Sequence, residues 1–167
     1  MSKNFIYDKK RGKIGEQKVA DFFIQQGCSV IDVSENADFQ KLDIDLIVDD
    51  EFVEVKTQSS INKNNKITLE LETNYGDELF VQGWFNYTES NILVFYDRVS
   101  ETAYHINTNE LKNIYQEYKD RKEYKKYFNI YDFDEEYKVS TLAFVDLEFL
   151  KKISKSLKIY KYNSMTA

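Results

Sequence analysis

The chain contains no proline, one cysteine, one histidine and five glycines in 167 residues, and each scarcity excludes something. With Cys28 alone, neither an internal disulfide nor a thiolate-ligated metal cluster can be built from one copy. His105 has no acid paired with it nearby in sequence, so an imidazole metal centre or a catalytic triad has no support, and an ordinary strand residue is expected there. The missing proline leaves no rigid punctuation, and no repeat or low-complexity tract divides the chain. A single domain over 1–167 is therefore expected, long enough to bury a substantial core. Hydrophobic runs are short: none approaches the roughly 20 residues of a membrane-spanning helix. Met1 to Lys13 lacks the apolar centre of a signal peptide, and the expected setting is cytoplasmic, with no membrane partner.

Charge and aromatic surface are what the chain has in quantity. Charged residues at 31% and a mean hydropathy of −0.60 argue for solubility, while 16% aromatic residues supply apolar area to bury. The net charge of −6 counts against a uniformly basic surface of the kind that binds nucleic acid through phosphates. Basic residues gather near both ends, in Lys9, Lys10, Arg11 and Lys13 and in Lys151, Lys152, Lys155, Lys158 and Lys161. A patch assembled from the two termini and a solvated helix face with snorkelling lysines are both open readings.

Taken in order, Lys13 to Gln26 reads as a helix ended by Gly27, with Glu16 in its first turn, where helix-dipole complementarity alone would explain a carboxylate. Cys28 to Val33 reads as a strand and Ser34 to Lys41 as a polar connection. After Gln58 comes a loop, then alternation over Lys66 to Thr73 that sets Glu70 and Glu72 on the polar face of a strand. A water-facing sheet surface explains that pair; the alternative is that one of them, Glu72 in particular, joins a site on the preceding hairpin. Asn74 to Ser90, with the single tryptophan Trp84, reads as turns. Ile92 to Tyr96 and Thr102 to Ile106 are strands, and Asn107 caps a helix reaching toward Phe128, whose Tyr and Lys repeats suit either a solvated face or base stacking. Asn129 to Lys138 reads as an acidic loop and Val139 to Val145 as a strand. Asp146 caps a last helix with the stripe Leu147, Leu150, Ile153 and Leu157, and the tail from Asn163 is expected to fray.

The chemistry concentrates in Leu42 to Gln58, where aliphatic and charged residues alternate on both sides of Asp49-Asp50. That is the pattern of two half-buried strands in a hairpin. With Asp49-Asp50 as a two-residue loop, Asp45 falls opposite Glu54 and Asp43 opposite Lys56, with Cβ atoms about 5 Å apart. Opposed carboxylates destabilise a sheet unless a cation lies between them. Hard oxygen donors suit Mg²⁺ or Mn²⁺, and an ammonium two residues from Glu54 shares its face, where it can orient water or stabilise charge on a phosphorane. The plain alternative is an edge hairpin with cross-strand salt bridges such as Asp43 with Lys56.

Asp45 in Leu42-Asp43-Ile44-Asp45-Leu46-Ile47, followed by Glu54-Val55-Lys56 and preceded by a helix bearing Gly15-Glu16, resembles the active-site pattern of the PD-(D/E)XK nuclease superfamily, in its resolvase-like branch. The resemblance spans Gly12 to Gln58. It implies an α/β fold, a mixed sheet flanked by helices, with a restriction-endonuclease-like core over about 12–107 and an extension over about 108–167 adding a strand and helices. It also implies a Mg²⁺- or Mn²⁺-dependent nuclease hydrolysing DNA, duplex or branched, with a junction-resolving enzyme acting as a homodimer. Asp45, Glu54 and the Val55 carbonyl would hold the metal, Lys56 would be the catalytic ammonium, Glu16 an outer acid, and Asp43, Gln58 and Glu72 auxiliary. A nuclease-like fold kept without turnover, as a DNA-binding or protein-interaction module, is the competing expectation.

Overall fold

A computed structural model describes residues 3–75, 80–135 and 138–162, with side chains from Lys10 onward; the tail from Asn163 lies outside them. Helix α1 (Lys3–Gln25) opens the chain, followed by β1 (Val30–Asp32), the single turn α2 (Ala37–Gln40), and the hairpin of β2 (Leu46–Val48) and β3 (Glu51–Gln58). Next come α3 (Ile61–Asn64), β4 (Lys66–Asn74), β5 (Phe80–Gln82) and α4 (Trp84–Tyr87). Strands β6 (Ile92–Asp97) and β7 (Thr102–Asn107) lead to α5 (Thr108–Tyr118), a 3-10 segment (Lys122–Tyr127), β8 (Phe128–Glu135), β9 (Lys138–Asp146), α6 (Leu147–Ile153) and β10 (Lys158–Lys161).

Among the described residues the strands form a mixed sheet, β1-β2-β3-β6-β7-β10, and an antiparallel one, β5-β4-β9-β8. Only the central pair of the first, β3 with β6, is parallel. A parallel pair needs a long crossover, and the expected α/β pattern puts a helix there. Here β4, β5 and α4 make the crossover, and β9 joins β4 from the C-terminal part of the chain to complete the second sheet. One face of the first sheet packs Leu46, Val48, Val53, Val55 and Val94 against Val19 and Ala20 of α1. On the other face Leu93, Phe95, Tyr104 and Ile106 meet Ile67, Leu69, Ala143 and Val145 of the second sheet and Leu111, Leu147 and Leu150 of α5 and α6. The fold is thus a mixed α/β sheet flanked by helices, with the second sheet filling much of one flank.

Local expectations change in several places: the short helices α3 and α4 stand where a loop and turns are expected, and α6 ends at Ile153, before Leu157. Helix α1 begins ten residues before Lys13 and passes through Gly12 and Gly15, because Gly15 lies flat against Thr57 of β3, whose Oγ1 is 1.8 Å from where a Cβ would stand. Its end is as expected: Gly27, at φ +86°, donates to the Ile24 carbonyl while Cys28 donates to that of Phe23, a paired closure that needs left-handed backbone. The acidic loop is strand β8, whose Phe128 faces the core while Tyr131 and Phe133 are exposed on an edge of the second sheet. The helix after Asn107 stops at Tyr118, and Arg121 opens the separate 3-10 segment. Asn107 caps α5 by accepting from the Glu110 amide at 3.0 Å, and the Glu110 carboxylate turns instead to Ser154 Oγ and the Lys155 and Ser156 amides.

His105 sits in an aromatic cluster with Phe22, Phe23, Tyr160 and Tyr162, its Nε2 2.7 Å from the Tyr162 hydroxyl. Burial, with Lys158 adding, lowers its pKa to about 3, so it stays neutral. The C-terminal lysines are divided between two elements, Lys151 and Lys152 on α6 and Lys158 and Lys161 on β10. Of the N-terminal set, Arg11 donates to Ser59 just beyond β3, and Lys13 donates to Asp32 at the end of β1.

Candidate active site

The hairpin turn is made of two aspartates in left-handed backbone, Asp49 at φ +46° and Asp50 at φ +71°. Paired positive φ values match the twist of the strands, and short polar side chains tolerate them better than most. Asp49 also accepts the Ser29 amide at 2.8 Å, which ties the turn to the start of β1. The register is Val48 with Glu51, Ile47 with Phe52 and Leu46 with Val53, so one further step sets Asp45 across from Glu54.

Beyond Leu46 the first strand leaves the ladder. Asp45 N–H donates to the Val53 carbonyl at 3.0 Å, but Asp43, at φ +55°, bends the chain away. The next free amide on that edge of β3 is Val55 N–H, and the Asp45 carboxylate takes it at 2.9 Å. An aspartate side chain thus replaces the strand that has departed, and is fixed in direction by doing so.

Glu54 and Lys56 share the face of β3 turned away from α1. The Glu54 side chain is 3% exposed and contacts Lys56 Nζ through Oε1, while its Oε2 is buried without a hydrogen-bond partner. Lys56 also pairs with Asp43, Oδ2 at 3.0 Å and Oδ1 at 3.1 Å. Burial pushes the Asp45 carboxyl up to about 6, the charge of Glu16 adding and the Val55 amide and Lys56 opposing. Glu54 is pushed well above the carboxylate range, by burial first, with Lys56 opposing and Asp45 and Asp43 adding. For Lys56 burial acts downward, yet Glu54 and then Asp43 outweigh it and hold the ammonium charged.

Glu16 lies in the middle of α1, so the dipole of the first turn does not account for it. It pairs with Lys13 at 3.2 Å, which also donates to Asp32 at 2.9 Å and to Ser34 Oγ. Gln58 is turned away from these acids. Its amide donates to the Thr68 carbonyl at 2.9 Å and accepts the Thr68 amide at 3.2 Å, lacing the end of β3 to β4 as a strand partner would. Glu72 is exposed and in register with Gln82 and Thr141, and among the described residues no contact of the Asp43–Asp45–Glu54–Lys56 group includes it. Of the two carboxylates on that strand, Glu70 is the one whose charge acts on Tyr87, a hydroxyl that Asp43, Lys56 and Glu54 also influence. The Tyr87 hydroxyl is pushed up by burial, then Asp43, with Lys56 opposing and Glu54 and Glu70 adding.

Sequence reasoning assigns no part in the site to Lys13, Trp84 or Thr88. Trp84 lies with its ring centroid 4.6 Å from Lys56 Nζ, and Thr88 Oγ1 donates to the Asp43 carbonyl at 3.1 Å. The signal available is the lone tryptophan after a glycine, and nothing in its neighbours points to a lysine 28 positions earlier.

The donors gathered here are carboxylate oxygens, which suit a hard divalent cation, and the unpartnered Glu54 oxygen fits such a role. Among the described residues no three carboxylate, imidazole or thiol groups stand close enough to form a metal cluster as they are; Lys56 is the cation that bridges the acids. No family model matches the chain, and no curated protein matches it. Among solved structures it is similar to a bacterial homing endonuclease, I-Ssp6803I, at 18% identity over 60% of this chain and 69% of that one, with a TM-score of 0.46. No helix among the described residues is long and apolar enough to cross a membrane.

Proposed function

We propose that the chain is a divalent-cation-dependent nuclease that hydrolyses DNA phosphodiester bonds. The observation that carries this reading is the convergence of Asp45, Glu54 and Lys56 at one end of the hairpin, with Glu54 Oε2 buried and unpartnered. Asp45 and Glu54, with the Val55 carbonyl, would hold Mg²⁺ or Mn²⁺, which supplies Lewis acidity toward a phosphoryl oxygen and a more acidic water. Hydrolysis adds water across a P–O bond, and charge builds on the non-bridging oxygens. Lys56 presents a permanent positive charge to that developing charge. Asp43 holds the ammonium in place, and Glu16 supplies an outer acid able to orient water. Branched DNA cut by a homodimer is the narrower form of the proposal, drawn from the likeness of the helix and hairpin to resolvases.

The test is incubation of the chain with labelled single-stranded, duplex and four-way-junction DNA, with and without Mg²⁺ or Mn²⁺, beside Lys56→Ala. Cation-dependent products from the wild type, absent with the variant under conditions where circular dichroism shows it folded, are expected. Equal cleavage by both would sink the assignment. The second reading, a DNA-binding module without turnover, is favoured by the absence of a ready-made three-acid cluster among the described residues. DNA binding with neither cation uptake nor product selects it.

Cation uptake also carries a pH signature. Asp45, raised to about 6, and Glu54, raised well above its usual range, are protonated at low pH, and a ligand carboxylate must be ionised. Affinity for Mn²⁺ is expected to climb as pH rises through 6, with protons released on binding. Calorimetry in two buffers of different ionisation enthalpy measures both, and an affinity that is flat between about pH 5.5 and 8 contradicts the assignment.

A further inference from the structure

The geometry points to Trp84 as a positioning residue for Lys56 beside Asp43, the indole forming an uncharged wall of the ammonium's seat; this deepens the nuclease reading and rests on it. Nζ touches Glu54 and Asp43, and the indole centroid stands 4.6 Å away. An ammonium over the face of an indole is attracted by the ring's negative quadrupole, most strongly for tryptophan among the aromatic residues. Lysine has a flexible four-carbon stem and no preferred fork geometry, so its charge goes where its neighbours hold it. Two of these neighbours are acids, and Glu54 is also a proposed cation ligand. Once Glu54 engages a cation, the indole keeps its hold on Lys56 without any change of charge.

The ring is itself held from behind. Phe85 meets it edge-on at 5.8 Å, and Phe95 lies at 6.1 Å. Gly83 lets the preceding backbone lie directly on β4, donating to the Leu71 carbonyl at 2.8 Å, and the Asn86 side chain donates to the same carbonyl at 2.6 Å. At the far end of the segment, Thr88 bonds the Asp43 carbonyl and the Glu89 amide donates to that of Leu42 at 3.0 Å. Residues 83–89 therefore brace both partners of the Lys56–Asp43 pair from the second sheet, and the tryptophan is the part of the brace that touches the ammonium.

The test compares the wild type with Trp84→Phe, Trp84→Leu and Lys56→Ala in the full chain. In proton NMR the Lys56 ε-methylene, bonded to the Nζ that lies over the ring, is expected upfield of other lysines; the signal disappears in Lys56→Ala, persists in part in Trp84→Phe, and returns to the ordinary position in Trp84→Leu. Turnover at saturating DNA is expected to fall about tenfold or more in Trp84→Leu, on the order of the cost of misplacing a catalytic group, with KM for DNA unchanged and Trp84→Phe restoring most of the rate. A tryptophan that only packs against Phe85 and Phe95 would lower the melting temperature of Trp84→Leu and leave the turnover of the folded fraction intact, which overturns the proposal. So does a Lys56 ε-methylene at the ordinary lysine position in the wild type. If the wild type cleaves no DNA, the nuclease reading fails, while the NMR comparison still decides whether the indole seats Lys56.

Discussion

Asp45→Asn is expected to raise the stability of the chain by about 3 kcal/mol at pH 8 while abolishing cation-dependent cleavage. The Asp45 carboxyl goes from 3.8 to about 6 on folding, and a rise of that size corresponds to about 3 kcal/mol. The sign follows from which state binds the proton more tightly. A carboxyl raised in the folded state leaves stability intact below the unfolded value, near pH 4, and stability is lost as pH rises through 6. Asparagine carries no charge to desolvate and keeps an oxygen that accepts the Val55 amide, so it removes the penalty without removing the bond. The gain at pH 8 corresponds to roughly 6–12 °C in melting temperature for a chain of this size; at pH 4 it should vanish. Denaturation in chelator at both pH values measures it. In the presence of Mn²⁺ the wild type should gain stability and the variant should not, since only the ionised acid offers the ligand. A variant less stable than the wild type at pH 8, or equally stabilised at both pH values, would show that Asp45 is not an acid forced to ionise in a buried place.

Such a residue is legible in sequence when the constraint on it is local. The hairpin can be read because alternation with period 2 and the two-aspartate turn act over the short stretch from Leu42 to Gln58, and a register so short leaves one arrangement. The facing of Asp45 and Glu54 follows from that register, whereas the ion pair of Asp43 with Lys56 forms through side chains after the backbone has left the ladder at Leu46. Where partners are remote, the sequence is silent. Thr88 reaches Asp43 across 45 positions and Gln58 fills a gap in the edge of β4, and neither residue carries a pattern of its own. Strand β8 reads as a loop because Asp132, Asp134 and Glu135 dominate its composition; pairing with β9, residue against residue from Phe128 to Glu135, makes it a strand. The early start of α1 is hidden by Gly12 and Gly15, each of which lowers helix propensity by about 1 kcal/mol. Packing against Thr57 is what makes the second of them useful. Glu16 changes meaning as a result, from a residue that the helix start would explain to one whose charge acts on Asp45.

Gly83→Ala is expected to destabilise the chain by about 3 kcal/mol, at the upper end for an overpacked site, and to loosen the brace over the hairpin. A Cβ at Gly83 would stand 2.3 Å from the Glu70 carbonyl oxygen, 2.4 Å from its carbon and 2.6 Å from the Leu71 carbonyl carbon. These are main-chain atoms of β4, held between β5 and β9 around Glu72, so they cannot swing aside as a side chain would. Relief has to come from moving residues 83–89 outward, which draws Trp84 from Lys56 and Thr88 from the Asp43 carbonyl. The cost therefore appears twice, as a lower denaturation midpoint and as weaker cation-dependent turnover in the molecules that stay folded. Gly12→Ala is the counterpart with opposite sign. Gly12 lies inside α1, and a Cβ there meets only the Glu16 Oε1 at 3.8 Å, ordinary contact. Alanine in that helix interior should add about 1 kcal/mol through lower conformational entropy of the unfolded chain. Urea denaturation of the two variants beside the wild type measures both shifts, and a Gly83→Ala midpoint equal to the wild type would mean that the segment before Trp84 does not lie on β4.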